Sequence, residues 1–295
     1  MRRGYIETRK GQQIHYQTLG AGEPVLFLHQ TARSSGAYAR LMKVMAPHYQ
    51  TFAIDMPGFG SSDPLPTPFG VPDLVEVIVD FMDNLGIKKI RISGHHTGAV
   101  VAAQLAISYP ERVTALAPTG LPLYLPEERA RLLTEMDKPV EHPKIPIIEL
   151  KADGSHLMRL HQRACTRLMD AKNIDYYWLP LEDISQEDLE FMNDYIMDNL
   201  LGRPGAANTL RAVRCHDLVS GLGKIKAPTL VVQSTGRYEP VFLQRAEMAA
   251  KMIPGARWAS IKDGCIHVIQ SRADELCKLL TDFFEKSSAG QRKSR

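Results

Sequence analysis

The sequence predicts an α/β protein with a mostly parallel sheet, flanking helices and one inserted helical segment. Short apolar runs such as residues 25–28 alternate with amphipathic helical patterns, which is typical of parallel strands that helices cover on both faces. From about Leu121 to about Gly223 the pattern is purely helical, and then the alternation resumes. A strand, a tight turn and a helix with small apolar residues follow one another over residues 90–103. These three observations favour a single α/β core with an insertion.

Length and composition limit the class of protein. The chain has 295 residues, of which 44% are hydrophobic and 23% are charged, so it has ample material for one buried core plus an insertion. The net charge of +3 arises from 36 basic and 33 acidic residues without a clustered basic stripe, and we therefore expect no nucleic-acid partner. No stretch approaches the roughly 18 apolar residues of a membrane helix. We expect no membrane association.

The four cysteines indicate a reducing compartment. Cys165, Cys215, Cys265 and Cys277 lack metal-ligand spacing, and four thiols in a chain of this length do not suggest a disulfide scaffold. The N-terminal segment carries basic residues but not the apolar region of a secretion signal. We therefore expect free thiols, a cytoplasmic location and no metal site.

The predicted elements follow in order along the chain. Alternating runs at 5–8 and 13–18 predict a hairpin, and further strands are predicted at 25–28, 51–54, 90–92, 113–117, 229–232 and 258–261. One amphipathic helix opens at Pro72 and ends at Gly86. Other helical patterns lie at 127–136, 156–169, 186–201 and 243–252, and a last helix follows. We assign residues 1–121 and 224–286 to the core, 122–223 to a helical cap and 287–295 to a flexible tail.

The turn at residues 94–98 carries the strongest functional signal. Gly94 and Gly98 stand on either side of His96, and glycines in these places allow a sharp bend and close packing of helix on strand. Such a turn exposes its central side chain at the top of the sheet. The frame therefore predicts that His96 occupies the tip of the turn.

Further motifs accompany this turn. Residues 55–63 read DMPGFGSSD, His29 follows the strand at 25–28, residues 236–240 read GRYEP and residues 264–267 read GCIH. In this order the segments resemble the D-x-P-G-x-G-x-S-D loop, the oxyanion loop, the G-x-x-D-P acid loop and the G-x-x-H base loop of the α/β-hydrolase family. The resemblance covers nearly the whole chain outside the cap. It implies the α/β-hydrolase fold, with a mostly parallel sheet of eight strands.

The resemblance also implies roles for three residues. Glu239 stands at the acid position and His267 at the position of the general base, where a carboxylate holds an imidazole ready to accept a proton. His96 stands where the family has serine, or aspartate in dehalogenases and epoxide hydrolases, whose G-H-D-x-G-A resembles residues 94–99. His96 is then a nucleophile, a proton shuttle, an electrophile toward a carbonyl or the relic of a lost activity. The complete acid–base pair favours an active role.

The loop after the first parallel strand is expected to line the site. The amides of Thr31 and Thr97 are the expected oxyanion hole, and Gln30 stands where the family generally has glycine, so its side chain narrows that pocket or adds a donor. We assign His29, Gln30 and Ser34 to the substrate pocket, although His29 also suits support of the loop and Ser34 suits a helix N-cap.

Several other side chains have a structural and a functional interpretation. His95, at the variable position of the turn, is expected to pack beneath the site, and a packed Cys265 is favoured over a reactive thiol. Cap residues that pack in the core by default but could line a pocket are His156, His161, Tyr176, Tyr177 and Trp178.

The leading functional hypothesis is a cofactor-free hydrolase of a small, fairly apolar carbonyl compound, an ester or a lactone, enclosed between core and cap. One alternative is a lyase or cofactor-free oxygenase that uses His267 and Glu239 for proton abstraction, and another is a non-catalytic ligand-binding member of the fold. A metal between His96 and His267 is a further hypothesis that no ligand spacing supports. We expect no cofactor and a small-molecule substrate as the partner, and a homodimer is left open.

Overall fold

The computed structural model describes residues 1–136, 150–172, 184–235, 240–262 and 267–293. Eight strands lie in this described part of the chain: β1 (Arg2–Glu7), β2 (Gln13–Leu19), β3 (Pro24–Leu28), β4 (Gln50–Ile54), β5 (Ile90–His95), β6 (Val113–Thr119), β7 (Leu230–Ser234) and β8 (Arg257–Ile261). They form one sheet in the order β1-β2-β4-β3-β5-β6-β7-β8. β1 and β2 form the predicted hairpin and β2 pairs antiparallel with β4, while the remaining pairs are parallel. The predicted α/β-hydrolase fold, with its mostly parallel eight-stranded sheet, is confirmed.

The helices flank the sheet or lie between β6 and β7. They are α1 (Ala39–Met45), α2 (Val71–Asn84), α3 (Thr97–Ser108), α4 (Pro126–Met136), α5 (Ser155–Lys172), α6 (Gln186–Leu201), α7 (Arg203–Cys215), α8 (Pro240–Met252), α9 (Val268–Ser271) and α10 (Ala273–Lys293). Short 3-10 helices span Ser35–Tyr38 and Val219–Lys224. The helix predicted from Pro72 to Gly86 corresponds to α2.

The core lies on both faces of the sheet, because side chains of a strand alternate between its faces. Leu26 and Leu28 of β3 pack with residues of α2 and α3. Val25 and Phe27 of the same strand pack with residues of α1 and α10 on the other face. All four side chains are fully buried, which explains why the sequence of β3 is continuously apolar instead of alternating.

Four helices, α4 to α7, lie between β6 and β7. Three of them match the predicted patterns, and α7 was not predicted. α6 begins at a capping box in which the Ser185 side chain accepts from the Asp188 amide and Asp188 accepts from the Ser185 amide. The boundaries of the cap, 122–223, remain a prediction.

The C-terminal helix is longer than predicted. α10 continues to Lys293, past the point at which the sequence analysis placed a flexible tail. The Ser287 hydroxyl donates to the carbonyl of Phe283, 2.8 Å away, so the first serine of the segment joins the helix instead of ending it.

None of the helices in the described ranges combines the length and apolarity that crossing a membrane requires.

Candidate active site

The turn between β5 and α3 has the strained backbone that the sequence predicts. His96 has φ 46° and ψ −108°, a conformation that is costly for any residue with a Cβ. Its amide donates to the carbonyl of Thr119 at the end of β6, 3.0 Å away, and its own carbonyl accepts from the amides of Ala99 and Val100. The first turn of α3 and the end of β6 therefore fix His96 at the carboxyl edge of the sheet.

Gly94 and Gly98, on either side of His96, allow this turn because they let the helix pack closely on the strand. A Cβ on Gly98 would lie 2.0 Å from the carbonyl oxygen of Leu28, and a Cβ on Gly94 would lie 2.1 Å from that of Gly98. Both distances are far inside van der Waals contact. Glycine is therefore required at both positions for α3 to rest directly on β3.

The His96 ring is enclosed on two sides. It packs edge-on against the His95 ring, with centroids 4.5 Å apart, and it lies so close to Gly120 that a Cβ there would come within 2.9 Å of Nε2. Burial, with a smaller contribution from the charge of Arg167, lowers the pKa of His96 to about 4. His96 is therefore a neutral imidazole at neutral pH.

His267 lies directly before α9 and is almost completely buried. Its ring packs edge-on against Phe191 and Tyr195 of α6, with centroid distances of 5.3 and 5.8 Å. Burial lowers the pKa of His267 well below its usual value, and the charges of Arg33 and Arg167 and of a protonated His96 lower it further. The charge that a protonated His96 would carry acts on His267, which agrees with the two rings lying in the same region of the molecule.

A cavity of about 170 Å³ lies at this end. Its wall consists of the loop after β3, three helices of the insertion and His267, with these residues: Gln30, Thr31, Ala32, Arg33, Arg167, Tyr195, Asn199, Leu210, Arg214 and His267. The His96 ring is not part of this wall. His267 thus lines the cavity, whereas the His96 ring packs against His95, and joint action of the two histidines stays a prediction.

The two predicted oxyanion residues contact each other. The Thr31 amide donates to the hydroxyl of Thr97 at 3.3 Å, and the two hydroxyls are 2.6 Å apart. The Thr31 amide is therefore already hydrogen-bonded within the chain, and a developing oxyanion would compete with the Thr97 hydroxyl for it. The role of both amides in an oxyanion hole stays a prediction.

Two residues expected in the substrate pocket, His29 and Ser34, make the hydrogen bonds of loop support and helix capping that the sequence also suggested. His29 is fully buried, its Nε2 accepts from the Met56 amide at 2.9 Å, and its Nδ1 therefore carries the proton that it donates to the Gln30 carbonyl at 2.8 Å. Ser34 caps the 3-10 helix through the Gly36 amide. Neither residue is among those that line the described cavity, and the assignment of His29 and Ser34 to the substrate pocket stays a prediction. Gln30 does line the cavity.

Asp55, the first residue of the DMPGFGSSD segment, supports the same loop from below. It accepts from the Ser35 amide at 2.6 Å, from the Ser61 amide at 2.9 Å and from the His15 ring at 2.9 Å. Burial would raise the pKa of Asp55, but these contacts outweigh it and lower the pKa to about 2. The ionised carboxylate thus ties the loop to the sheet.

An ion pair that the sequence analysis missed links the loop to the insertion. Arg33, with 1% of its surface exposed, places Nε 2.9 Å from Oδ2 of Asp198 in α6. Burial raises the pKa of Asp198, and the charge of Arg33 offsets part of that rise. The guanidinium also lies 5.7 Å from the ring centre of Phe191 and 5.5 Å from that of Tyr195. The only sequence signal was a basic residue directly beside the expected oxyanion loop.

Other predicted residues lie elsewhere or outside the described ranges. Glu239, Cys265, Tyr176, Tyr177 and Trp178 fall outside the described residues. His156 accepts from the amide of Lys151, and His161 contacts Cys165. Neither histidine lines the cavity. No cluster of three or more His, Cys, Asp or Glu residues suited to a metal occurs within the described ranges.

Comparisons with known proteins agree with the fold. A sequence family described as the α/β hydrolase fold matches residues 23–139. The bifunctional epoxide hydrolase 2 of Mus musculus is 30% identical over 127 residues, which are 42% of this chain and 23% of that protein. The 2-hydroxy-6-oxononadienedioate/2-hydroxy-6-oxononatrienedioate hydrolase 2 of Pseudomonas putida is 23% identical and covers 95% of this chain and 96% of its own length.

Solved structures extend the likeness to the whole chain. The enol-lactonase of Burkholderia xenovorans superposes with a TM-score of 0.72 at 18% identity, covering 96% of this chain and all of that one. The first curated relatives are matched over less than half of their own length, so they do not define the activity of this chain. The strained turn, the sheet order and the family match over residues 23–139 together show that this chain has the α/β-hydrolase fold.

Proposed function

We propose that this chain is a cofactor-free hydrolase of a small carbonyl compound, an ester or a lactone. The main support is His267, a neutral, buried imidazole in the wall of a small cavity that the loop after β3 also lines. A neutral imidazole accepts a proton, and a small cavity beside it holds the reacting bond within its reach. Esterase, lactonase and epoxide hydrolase names among the similar proteins agree with this chemistry.

In the proposed reaction His267, oriented by Glu239, accepts a proton from water as the water oxygen bonds to the substrate carbonyl carbon. The carbonyl oxygen becomes an oxyanion near Thr31 and Thr97, whose amides and hydroxyls are the available donors. The tetrahedral intermediate then expels the alkoxide, which takes the proton from His267, and an acid and an alcohol result. His96 positions the water or the carbonyl.

Covalent attack by His96 is the variant of this mechanism. In that variant Nε2 of His96 bonds to the carbonyl carbon, and His267 accepts the N–H proton that acylated His96 loses and passes it to the leaving alkoxide. Water then adds to the acyl carbon as His267 accepts its proton, and release of the acid returns that proton to His96. Mass spectrometry of the quenched enzyme separates the two routes. An acyl group on His96 supports covalent attack, and oxygen-18 transfer from water without enzyme labelling supports the direct route.

Removal of the base is the first test. Because general base catalysis contributes about 10²- to 10⁴-fold, we expect His267→Ala to lower kcat/KM for ester or lactone substrates by that order. His96→Ala is expected to lower kcat/KM as well, since the side chain at the turn positions the reacting atoms. The measurement is steady-state hydrolysis over a panel of esters and lactones.

A matched control is His48→Ala, which removes an exposed histidine outside the cavity wall and should leave kcat/KM unchanged. His96→Ser adds a further comparison, since a gain of ordinary esterase activity would show that the remaining machinery is competent. Wild-type rates in both His267→Ala and His96→Ala would refute the proposal.

A second candidate is a lyase or cofactor-free oxygenase in which His267 abstracts a proton from carbon. The Thr31 amide already donates a hydrogen bond to the Thr97 hydroxyl, and this favours the second candidate. Proton abstraction depends less on an open oxyanion hole than acyl transfer does. This candidate predicts turnover of a substrate with an acidic C–H bond while esters remain untouched.

A further inference from the structure

The cavity beside His267 is rich in positive charge. Arg33, Arg167 and Arg214 belong to its wall, and no aspartate or glutamate is among the described residues that line it. Arg33 comes from the loop after β3, whereas Arg167 and Arg214 come from α5 and α7 of the insertion. Three cations from three separate segments therefore converge on a cavity large enough only for a small molecule.

Arg33 has donors in excess of its partners. Its Nε faces Asp198, but Nη1 and Nη2 are buried and have no hydrogen-bond acceptor within the described part of the chain. A guanidinium has five N–H donors in a rigid fork, and buried donors without acceptors cost free energy. The ion pair and the rings of Phe191 and Tyr195 hold the fork in place. Both Nη atoms are buried inside the wall, so Arg33 acts on a molecule in the cavity through its positive charge.

We propose that the substrate carries a carboxylate, which binds in the cavity among the positive charges of Arg33, Arg167 and Arg214. This inference rests on the proposed function in one respect, namely that the rest of the bound molecule is the carbonyl compound presented to His267. A carboxylate matches the planar fork of arginine through two parallel hydrogen bonds. The expected substrate is then a carboxylate-bearing ester or lactone instead of a fairly apolar one.

The same charges give the carboxylate a second effect. Arg33 and Arg167 disfavour protonation of His267 when the cavity is empty. A bound carboxylate offsets both charges and makes His267 a stronger base at the moment when the substrate is present. Substrates without the anion would lack this effect, so they should be poorer in kcat as well as in KM.

Binding can be measured without turnover. Isothermal titration calorimetry with benzoate and glutarate is compared with benzamide, a neutral analogue of the same shape as benzoate, and with inorganic phosphate. We expect the carboxylates to bind at least about ten times more tightly than benzamide, since charge-assisted hydrogen bonds are about twice as strong as neutral ones, and more tightly than phosphate. Equal affinity for benzoate and benzamide, or tighter binding of phosphate, would overturn the proposal.

The variants assign the binding to the cavity. Arg167→Gln is expected to weaken benzoate binding about ten-fold, and Arg159→Gln, an exposed arginine on the same helix, should not change it. Because Arg33→Met alone would leave Asp198 buried without its partner, the pair is replaced together as Arg33→Met/Asp198→Leu. Benzoate affinity that stays at the wild-type level in this double variant would contradict the proposal.

The hydrolase proposal and the carboxylate-subsite proposal can be refuted independently of each other. Carboxylate binding that the variants weaken supports this subsite even if no ester or lactone is hydrolysed, which would count against the hydrolase alone. The test compares an ester that carries a free carboxylate with the same ester in which that carboxylate is a neutral carboxamide. Equal kcat/KM for the two would support the hydrolase and overturn the carboxylate subsite.

Discussion

At the scale of single residues, His96 combines a strained backbone with an uncharged side chain. The burial of the ring beside His95 and Gly120 accounts for both its fixed position and its pKa of about 4. A neutral imidazole in this place can accept a hydrogen bond or a proton, which a protonated one cannot. The chemistry proposed for the site thus depends on burial of the ring.

The pH dependence of kcat/KM follows from these lowered pKa values. The profile of kcat/KM reports the free enzyme, in which His96 and His267 stay neutral well below pH 6.5. We expect kcat/KM to keep its plateau as the pH falls from 7 through 6.5, the usual pKa of histidine, and to decline only at lower pH. An acid limb centred near pH 6.5, measured in overlapping buffers, would show that an ordinary solvated histidine controls the rate.

At the scale of elements, the site depends on α3 lying directly on β3. Gly98→Ala would place a methyl group 2.0 Å from the Leu28 carbonyl, so the helix must move away from the strand. Overpacking of this kind costs about 1–3 kcal/mol or more, and we expect a loss of that order in the free energy of urea unfolding. The matched control is Gly223→Ala, where the nearest atom lies 3.9 Å away. Equal stability losses in the two variants would contradict this account of the packing.

Two ion pairs connect the region after β3 to α6, and they should differ in strength. Asp198→Ala leaves the buried guanidinium of Arg33 without its partner, which typically costs about 3–5 kcal/mol. Glu187→Ala removes an exposed pair with Arg40, and exposed pairs contribute less than about 1 kcal/mol. Thermal and urea unfolding of both variants measure the difference. A cost for Glu187→Ala that matches or exceeds that for Asp198→Ala would contradict this ranking.

The elements themselves could be predicted well because their signals are local. The apolar run at 25–28, the glycine frame around His96 and the helix from Pro72 to Gly86 each depend on neighbours within a few residues. Support of the loop by His29 was one of the two interpretations, but its hydrogen-bond partner could not be predicted in the same way. Its ring is held by the Met56 amide, which another strand brings to it. The pairing of Arg33 with Asp198, far apart in sequence, was equally invisible.

At the scale of the whole molecule, stability should fall in mild acid because the interior holds neutral histidines. The pKa values of His29 and His96 are lowered to about 4, and those of His95 and His267 are also lowered. Below pH 6.5 these histidines bind protons in the unfolded chain but remain unprotonated in the folded chain. The stabilisation is therefore complete above about pH 6.5 and is lost as the pH falls toward 4, by up to about 1.4 kcal/mol per pH unit for each group.

Denaturant unfolding between pH 7 and 4.5 tests this expectation. His95→Gln should reduce the slope of the free energy of unfolding against pH by up to the contribution of one proton, about 1.4 kcal/mol per pH unit. His48→Gln, at an exposed position, should leave this slope unchanged. A free energy of unfolding that stays constant over this range would show that the buried rings take up protons in the folded chain as readily as in the unfolded chain.

Asp55 extends the same behaviour to lower pH. Its pKa of about 2 in the folded chain lies below the usual value of 3.8, so its contribution is present above pH 4 and is lost as the pH falls toward 2. The difference corresponds to about 2 kcal/mol. Asp55→Asn should lower stability at pH 7 and reduce the dependence on pH below 4.

The bend at residue 96 also bears on how this scaffold can change. Its torsion angles are imposed by hydrogen bonds of the main chain and by two glycines, none of which involves an imidazole. Exchanging the reacting group therefore does not require rebuilding its support. A single codon at this position is enough to offer a hydroxyl, a thiol or a carboxylate to the same surroundings, which makes it a natural starting point for directed evolution of new reactivity.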